Sequence, residues 1–223
     1  MKSESLKRFV LTAVIIMLTG GICFAVNDKG FQYWSTAGAE FNINKDWKVT
    51  FEEEFRFGNG GGNLYYKHSD LGFVYSGLAK WIDIGLNYRQ VFEKDSKNEW
   101  KQENRPHLNI TLKGKIYDCD ISSRSRFEYR DREDKADIWR YRNKFTLKLP
   151  VQLTALKLQP YVADEIFVNF DKEDFNRNRL YFGFSLKLTK NIKCDIFYLW
   201  QASRSSEEWK DIDVLGTQLR FLF

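Results

Sequence analysis

From Phe31 onward the chain alternates apolar and polar residues one by one, the period of an extended strand whose successive side chains face opposite ways. In 47–57, Trp47, Val49, Phe51, Phe55 and Phe57 alternate with Lys48, Thr50, Glu52, Glu54 and Arg56. In 137–149, Trp139, Tyr141, Phe145 and Leu147 oppose Arg140, Arg142, Lys144 and Lys148. In 176–188, Leu180, Phe182, Phe184 and Leu186 oppose Arg177, Arg179 and Lys187, and in the last segment Leu215, Thr217, Leu219, Phe221 and Phe223 oppose Gly216, Gln218 and Arg220. The same rule predicts strands at 31–42, 47–57, 67–77, 81–93, 101–113, 116–130, 137–149, 157–168, 176–188, 192–202 and 211–223. Two places resist it. Glu53 falls on the apolar row of its strand, which asks for a bulge or an interfacial height there, and 157–168 alternates poorly.

The connections fall into two sets. Short ones are expected at 43–46, 77–80, 114–115 and 189–191, with a longer one around 149–155 that carries Pro150. Between them come polar stretches at 58–67, 94–100, 131–136, 171–175 and 203–210. The tryptophans are segregated too: Trp47 and Trp81 follow short turns, whereas Trp34, Trp100, Trp139, Trp200 and Trp209 lie toward the opposite strand ends. A soluble sandwich scatters indoles through its core, but a bilayer gathers them at its two interfaces. The fold class implied is all-β, a single antiparallel up-and-down transmembrane β-barrel of about 10–12 strands. The count is odd, which sets the strands at 31–42 and 211–223 running the same way. Antiparallel closure then requires ten strands and a docked amino-terminal segment, or a twelfth strand at 26–30.

Composition agrees without adding a function. Lys2, Lys7 and Arg8, an apolar run from Phe9 to Leu18 and the small residues up to Ala25 form a secretory signal peptide, with cleavage expected after Ala25. Cys23 as a lipidated residue is disfavoured by Ile22. Residues 1–25 are thus read as a leader and 26–223 as one domain. Removing the leader takes away three basic residues and one acid, leaving a net charge of +3, too mild to argue for nucleic acid. Cys119 and Cys194 fall four strands apart, beyond disulfide reach, and are expected to be free.

These residues resemble a family of Gram-negative outer-membrane barrels catalogued as domain of unknown function 2490. The resemblance rests on Trp34 before the hairpin Lys45-Asp46-Trp47, the pair Glu54 and Arg56, and the segment Gly85-Leu86-Asn87-Tyr88-Arg89. It continues through the Arg-x-Arg pairs Arg124/Arg126, Arg140/Arg142 and Arg177/Arg179, then Asp164-Glu165-Ile166-Phe167 and the terminal Phe223. It implies the outer membrane of a Gram-negative bacterium and brings no activity with it. In such barrels Gly216, Leu219, Phe221 and Phe223 form the carboxy-terminal signal read by the barrel-assembly machinery.

The strongest chemistry is a set of arginines on the inward rows: Arg56, Arg89, Arg105, Arg124, Arg126, Arg130, Arg140, Arg142, Arg177 and Arg179, faced by Glu52, Glu54, Glu103, Glu128 and Glu165. One reading is a positive lumen favouring small anionic solutes. The preferred one is a narrow lumen filled by bidentate Arg–Glu pairs, with some positive potential left over. Lipid-cleaving chemistry has one candidate set, His68, Ser69 and Asp70, against which stands the opposite facing of adjacent strand residues; His107 is expected inward beside Asn109. The glycine run in 58–63 is read as a flexible external loop, because no helix follows it. The acids Glu93, Asp95, Asp131, Glu133 and Asp134 suit solvated loops, or a divalent cation bridging to lipopolysaccharide. No catalytic residue, metal or cofactor is assigned. The expected partners are outer-membrane lipids and lipopolysaccharide, for a monomer acting as a structural envelope protein or small pore. A lipid-modifying enzyme and a loop-mediated adhesion protein stand as alternatives.

Overall fold

The structure is a computed structural model that describes residues 30–172, 174–205 and 208–223. The segment 1–25 expected to be a leader and all of the candidate strand at 26–30 except Gly30 lie outside the described residues. Eleven strands follow one another: β1 (Phe31–Asn42), β2 (Trp47–Gly58), β3 (Asn63–Ala79), β4 (Ile82–Lys94), β5 (Trp100–Ile116), β6 (Cys119–Arg132), β7 (Ile138–Lys148), β8 (Gln159–Asn169), β9 (Asp174–Lys187), β10 (Ile192–Ser205) and β11 (Glu208–Leu222). Each pairs with its neighbours in sequence, and the sheet closes into a barrel.

Closure departs from expectation. Neither ten nor twelve strands are used; β1 and β11 pair in parallel, from Phe31 opposite Asp213 to Glu40 opposite Leu222. An odd number of alternating strands leaves one pair pointing the same way, and a parallel ladder is only slightly weaker per residue than an antiparallel one. The seam is reinforced at its end. The backbone N–H and side-chain amide of Asn42 donate to the Phe223 carbonyl at 3.1 and 2.9 Å, and the Phe223 N–H donates to Glu40 at 2.9 Å. Phe41 stacks on Phe223 with ring centroids 4.9 Å apart.

The strands run further than the alternation suggested, and the connections shrink. The expected loop 58–67 reduces to a single turn at 59–62, held by positive φ at Asn59, Gly60 and Gly61. The turn expected at 114–115 sits at Tyr117 and Asp118, whose φ of 46° and 66° make a tight two-residue hairpin of the primed kind. The longest connection, 149–158, lies on the rim with the short turns, so the contrast of short turns against long loops does not hold. Strand length accounts for the error. The 17 residues of β5 span about 55 Å, about 40 Å of height when tilted, against an apolar band of about 25 Å. The polar residues beyond that band continue the strands. The rim bearing 43–46, 80–81, 117–118, 149–158 and 188–191 is called the turn rim below, and the other the loop rim.

The outer surface is an apolar belt that includes Phe51, Phe55, Leu71, Phe73, Leu86, Leu108, Phe127, Phe145, Phe182 and Phe184. Trp47 and Trp81 border it at the turn rim, and Trp100, Trp139 and Trp209 toward the loop rim. Trp34 breaks the expected girdle, since it is buried inside the barrel. Glu53 stays on the outer face with no bulge beside it, opposite Ala37 and Ser69; the β2–β3 irregularity falls at Arg56/Phe57 instead.

β8 alternates poorly because part of the lumen wall is itself apolar. Tyr161 and Ala163 pack inward with Trp34, Tyr181, Leu199 and Val214, and Phe197 and Ile212 lie against them. Phe197 fits only because two flanking strands carry glycine opposite it, Gly183 and Gly216. A Cβ on Gly216 would meet the Phe197 ring at 2.1 Å, and one on Gly183 would meet the Ile196 carbonyl oxygen at 2.8 Å. Both cysteines are free, as expected.

Candidate functional site

Facing this apolar wall, strands β2 to β9 bring the charged rows together in the lumen. The alternation of each strand fixes which side chains enter it, and the register fixes which ones meet. Glu128 receives Arg140 at 3.0 Å and Arg142 at 3.5 Å. Glu165 receives Arg142 at 2.7 Å, Arg124 at 3.3 Å and Arg179 at 3.5 Å, and accepts the Tyr181 hydroxyl at 2.9 Å. Glu103 is gripped by Arg105 and Arg130, each at 2.5 Å. Arg89 joins Asp70 at 2.7 Å and Glu52 at 3.3 Å, and Arg56 pairs with Glu54 while lying over Trp34 and Tyr66. Arg177 instead donates to Ser203 at 3.0 Å. Of the fifteen lumen residues singled out in the sequence, thirteen join carboxylate–guanidinium pairs, while among the described residues Arg126 and Arg177 donate to neutral side chains, Asn109 and Ser203. Reasoning from sequence did not place Asp70, Asp195 or Tyr66 in the network, although alternation along β3 and β10 puts all three on the inward face.

Burial divides the lumen into two regions. Glu128, Glu165 and Phe167 are each 1% exposed, enclosed by their partners, with Glu165 at the edge of the larger lumen cavity. Toward the turn rim the side chains of Glu52 and Arg124 are 31% and 36% exposed. Two cavities of 330 and 380 Å³ share Glu52, Arg89, Thr111, Arg124, Arg126, Gln218 and Arg220 and form one continuous lining, the larger reaching from Lys148 at the turn rim up to Arg56 and Glu165. A third, of 860 Å³, sits at the turn rim under the 149–158 connection, with Lys148, Lys187, Lys190, Lys193 and Arg220 around it. The lumen is thus closed by buried ion pairs around Glu128 and Phe167 and elsewhere opens into cavities whose lining carries more basic than acidic residues.

The other candidates fare differently. His68 and Asp70 point inward and are buried, whereas Ser69 is exposed on the outer face, so these three are not brought together. Glu52, Glu54 and His68 do converge within 4.8 Å of one another. Arg89 and Arg56 already hold the two carboxylates, which makes the group a node of the network. His107 is buried, with Nε2 3.5 Å from Asp70. The loop acids tie their own loops. Asp95 accepts the backbone N–H of Glu99 at 2.9 Å and of Lys97 at 2.8 Å, bonds that hold its carboxyl below the usual range. Asp134 pairs with Lys101 at 2.7 Å. Phe223 ends the chain at the turn rim, with Leu219 and Phe221 half-buried and Gly216 under the Phe197 ring.

A closed barrel with an apolar exterior and a charged interior is the setting for comparison with known proteins. The family described as protein of unknown function (DUF2490) matches residues 31–211, nearly the whole barrel. The chain belongs to this family. Among solved structures this DUF2490 barrel is similar to LpxR from Salmonella typhimurium, at 8% identity and a TM-score of 0.50, over 79% of this chain and 83% of that one. It is also similar to the outer-membrane expressed OmpT of Vibrio cholerae, at 11% identity and a TM-score of 0.41, over 77% and 61%. No curated protein matches it in sequence. The likeness to LpxR shows the fold of the DUF2490 chain and carries no chemistry with it.

Proposed function

We propose that this protein is an outer-membrane barrel of a Gram-negative bacterium that does not conduct, a structural envelope protein with its loop rim outside and its turn rim in the periplasm. The leader at 1–25 and the apolar belt between tryptophan bands support the location. The single observation that carries the closed lumen is the 1% exposure of Glu128, Glu165 and Phe167. Leu219, Phe221 and the terminal Phe223 suit the signal recognised by the assembly machinery. In planar bilayers the purified protein is expected to give no steady conductance, while Glu128→Ala combined with Arg140→Ala is expected to give discrete steps. Regular steps from the unaltered protein would overturn the reading. A narrow anion-selective pore is the second reading, favoured by the surplus of lumen cations, and it requires the ion-pair network to part.

Membrane placement makes a further prediction at Glu53. Its carboxylate faces the belt at mid-strand and, among the described residues, pairs with no cation. Glu53→Leu is expected to stabilise the barrel by about 1–2 kcal/mol, read from urea unfolding in lipid vesicles. A loss of stability would mean that Glu53 is not in contact with lipid.

A further inference from the structure

Arg126, on β6, is 5% exposed and lines both lumen cavities. Its Nε donates to Asn109 Oδ1 at 2.7 Å, and among the described residues no carboxylate pairs with it. Asp70 and Glu128 act on it only from a distance, and each is engaged elsewhere, Asp70 by Arg89 and Glu128 by Arg140 and Arg142. A guanidinium does not deprotonate, and a buried cation without a counter-charge is costly. Two further observations point to the same space. The Nε atoms of Arg142 and Arg220 are buried without a hydrogen-bond partner among the described residues, and both side chains line the 380 Å³ cavity. Lys144 lines it as well; its Nζ lies 3.6 Å from the centre of the Tyr181 ring, and among the described residues no acid is in ion-pair contact with it, Glu165 opposite it on β8 being held by Arg142, Arg179 and Arg124.

We propose that the inner end of the periplasm-facing cavity is a binding site for a small oxyanion of the phosphate class, held by Arg126 and Lys144 with Arg124 at its edge. The inference rests on the reading of the lumen as closed at Glu128 and Glu165 and open at the turn rim. Guanidinium groups bind tetrahedral or planar oxyanions through paired N–H donors, which favours phosphate over a halide. The Thr111 and Thr146 hydroxyls on the same lining supply neutral donors. A volume of 380 Å³ corresponds to about a dozen waters at roughly 30 Å³ each, enough for phosphate with its remaining hydration or a small phosphomonoester. The basic mouth at Lys148, Lys187 and Lys193 would draw anions inward.

The test is calorimetric titration of the protein, refolded in detergent at low ionic strength, with inorganic phosphate, acetate and chloride. Saturable phosphate binding is expected, stronger than that of acetate or chloride, and Arg126→Gln should weaken it by about 10- to 100-fold. That variant removes an uncompensated cation, so it should fold as well as the parent and lose only the phosphate-dependent rise in its unfolding midpoint. Lys144→Met gives the same readout should Arg126→Gln fail to fold. Absence of saturable phosphate binding, or unchanged affinity in a folded variant, would overturn the site. Silent bilayers without phosphate binding would leave the closed lumen and remove the site. Conducting bilayers with Arg126-dependent phosphate binding would do the reverse.

Discussion

Glu165→Gln should cost the barrel about 3–5 kcal/mol, the largest loss expected from any single charge in the lumen. One carboxylate at 1% exposure answers Arg142, Arg179 and Arg124 and accepts the Tyr181 hydroxyl. Neutralising it leaves the Arg142 and Arg179 guanidinium groups, 9% and 5% exposed, as buried cations that do not lose their protons, and that penalty exceeds the net worth of the pairs themselves. Arg124→Gln is the contrasting change. Its side chain is 36% exposed, so the loss should stay within about 1 kcal/mol. Urea unfolding in lipid vesicles, followed by tryptophan fluorescence, reads both. Equal effects of the two substitutions would show that the Glu165 node is hydrated and the lumen less tightly closed than its burial indicates.

Gly216→Val should be nearly as severe, for a steric reason. The Phe197 ring occupies the space where the new Cβ would stand, with three ring carbons between 2.1 and 2.8 Å from it. The ring has little freedom to retreat, because Tyr181 lies against it with centroids 5.5 Å apart and the Gly183 backbone is on its other flank. A loss of about 3 kcal/mol is expected, at the upper end of overpacking penalties. Phe197→Ala alone should cost about as much by leaving a cavity. Combined, the two changes should cost clearly less than their sum, since each removes the other's difficulty. Simple additivity in the double variant would mean that the ring does not rest on Gly216.

The strand rows, and therefore the inward arginines, were legible because alternation is a local property that survives without knowledge of partners. Three things were not local. Closure depends on two strands at opposite ends of the sequence, so periodicity gave the eleven strands but not their parallel join, and the habit of antiparallel closure pointed to ten or twelve. The lengths of β3 and β5 were hidden because polar residues beyond the bilayer height resemble loop residues. The apolar lumen wall was hidden because Tyr161, Ala163 and Phe167 occupy inward positions that alternation reserves for polar groups. At the candidate site, membership of the lumen was readable and pairing was not. Nothing in the spacing distinguishes Arg142, which is shared by two carboxylates, from Arg126, which among the described residues has none.

The parallel seam bears on how such a chain comes to be threaded. In a barrel with an even number of strands, both chain ends emerge at the same rim. Here Gly30, which accepts the Asp213 N–H at 3.2 Å, lies at the loop rim, while Phe223 lies at the turn rim. One end of the polypeptide must therefore travel the full height of the barrel before the first and last strands can zip together. Every hairpin can form from neighbours in sequence, but this join has to wait for the final strand, which makes ring closure the step with the longest reach in the chain. A label fused before Phe31 and one fused after Phe223 would report on opposite faces of the same molecule.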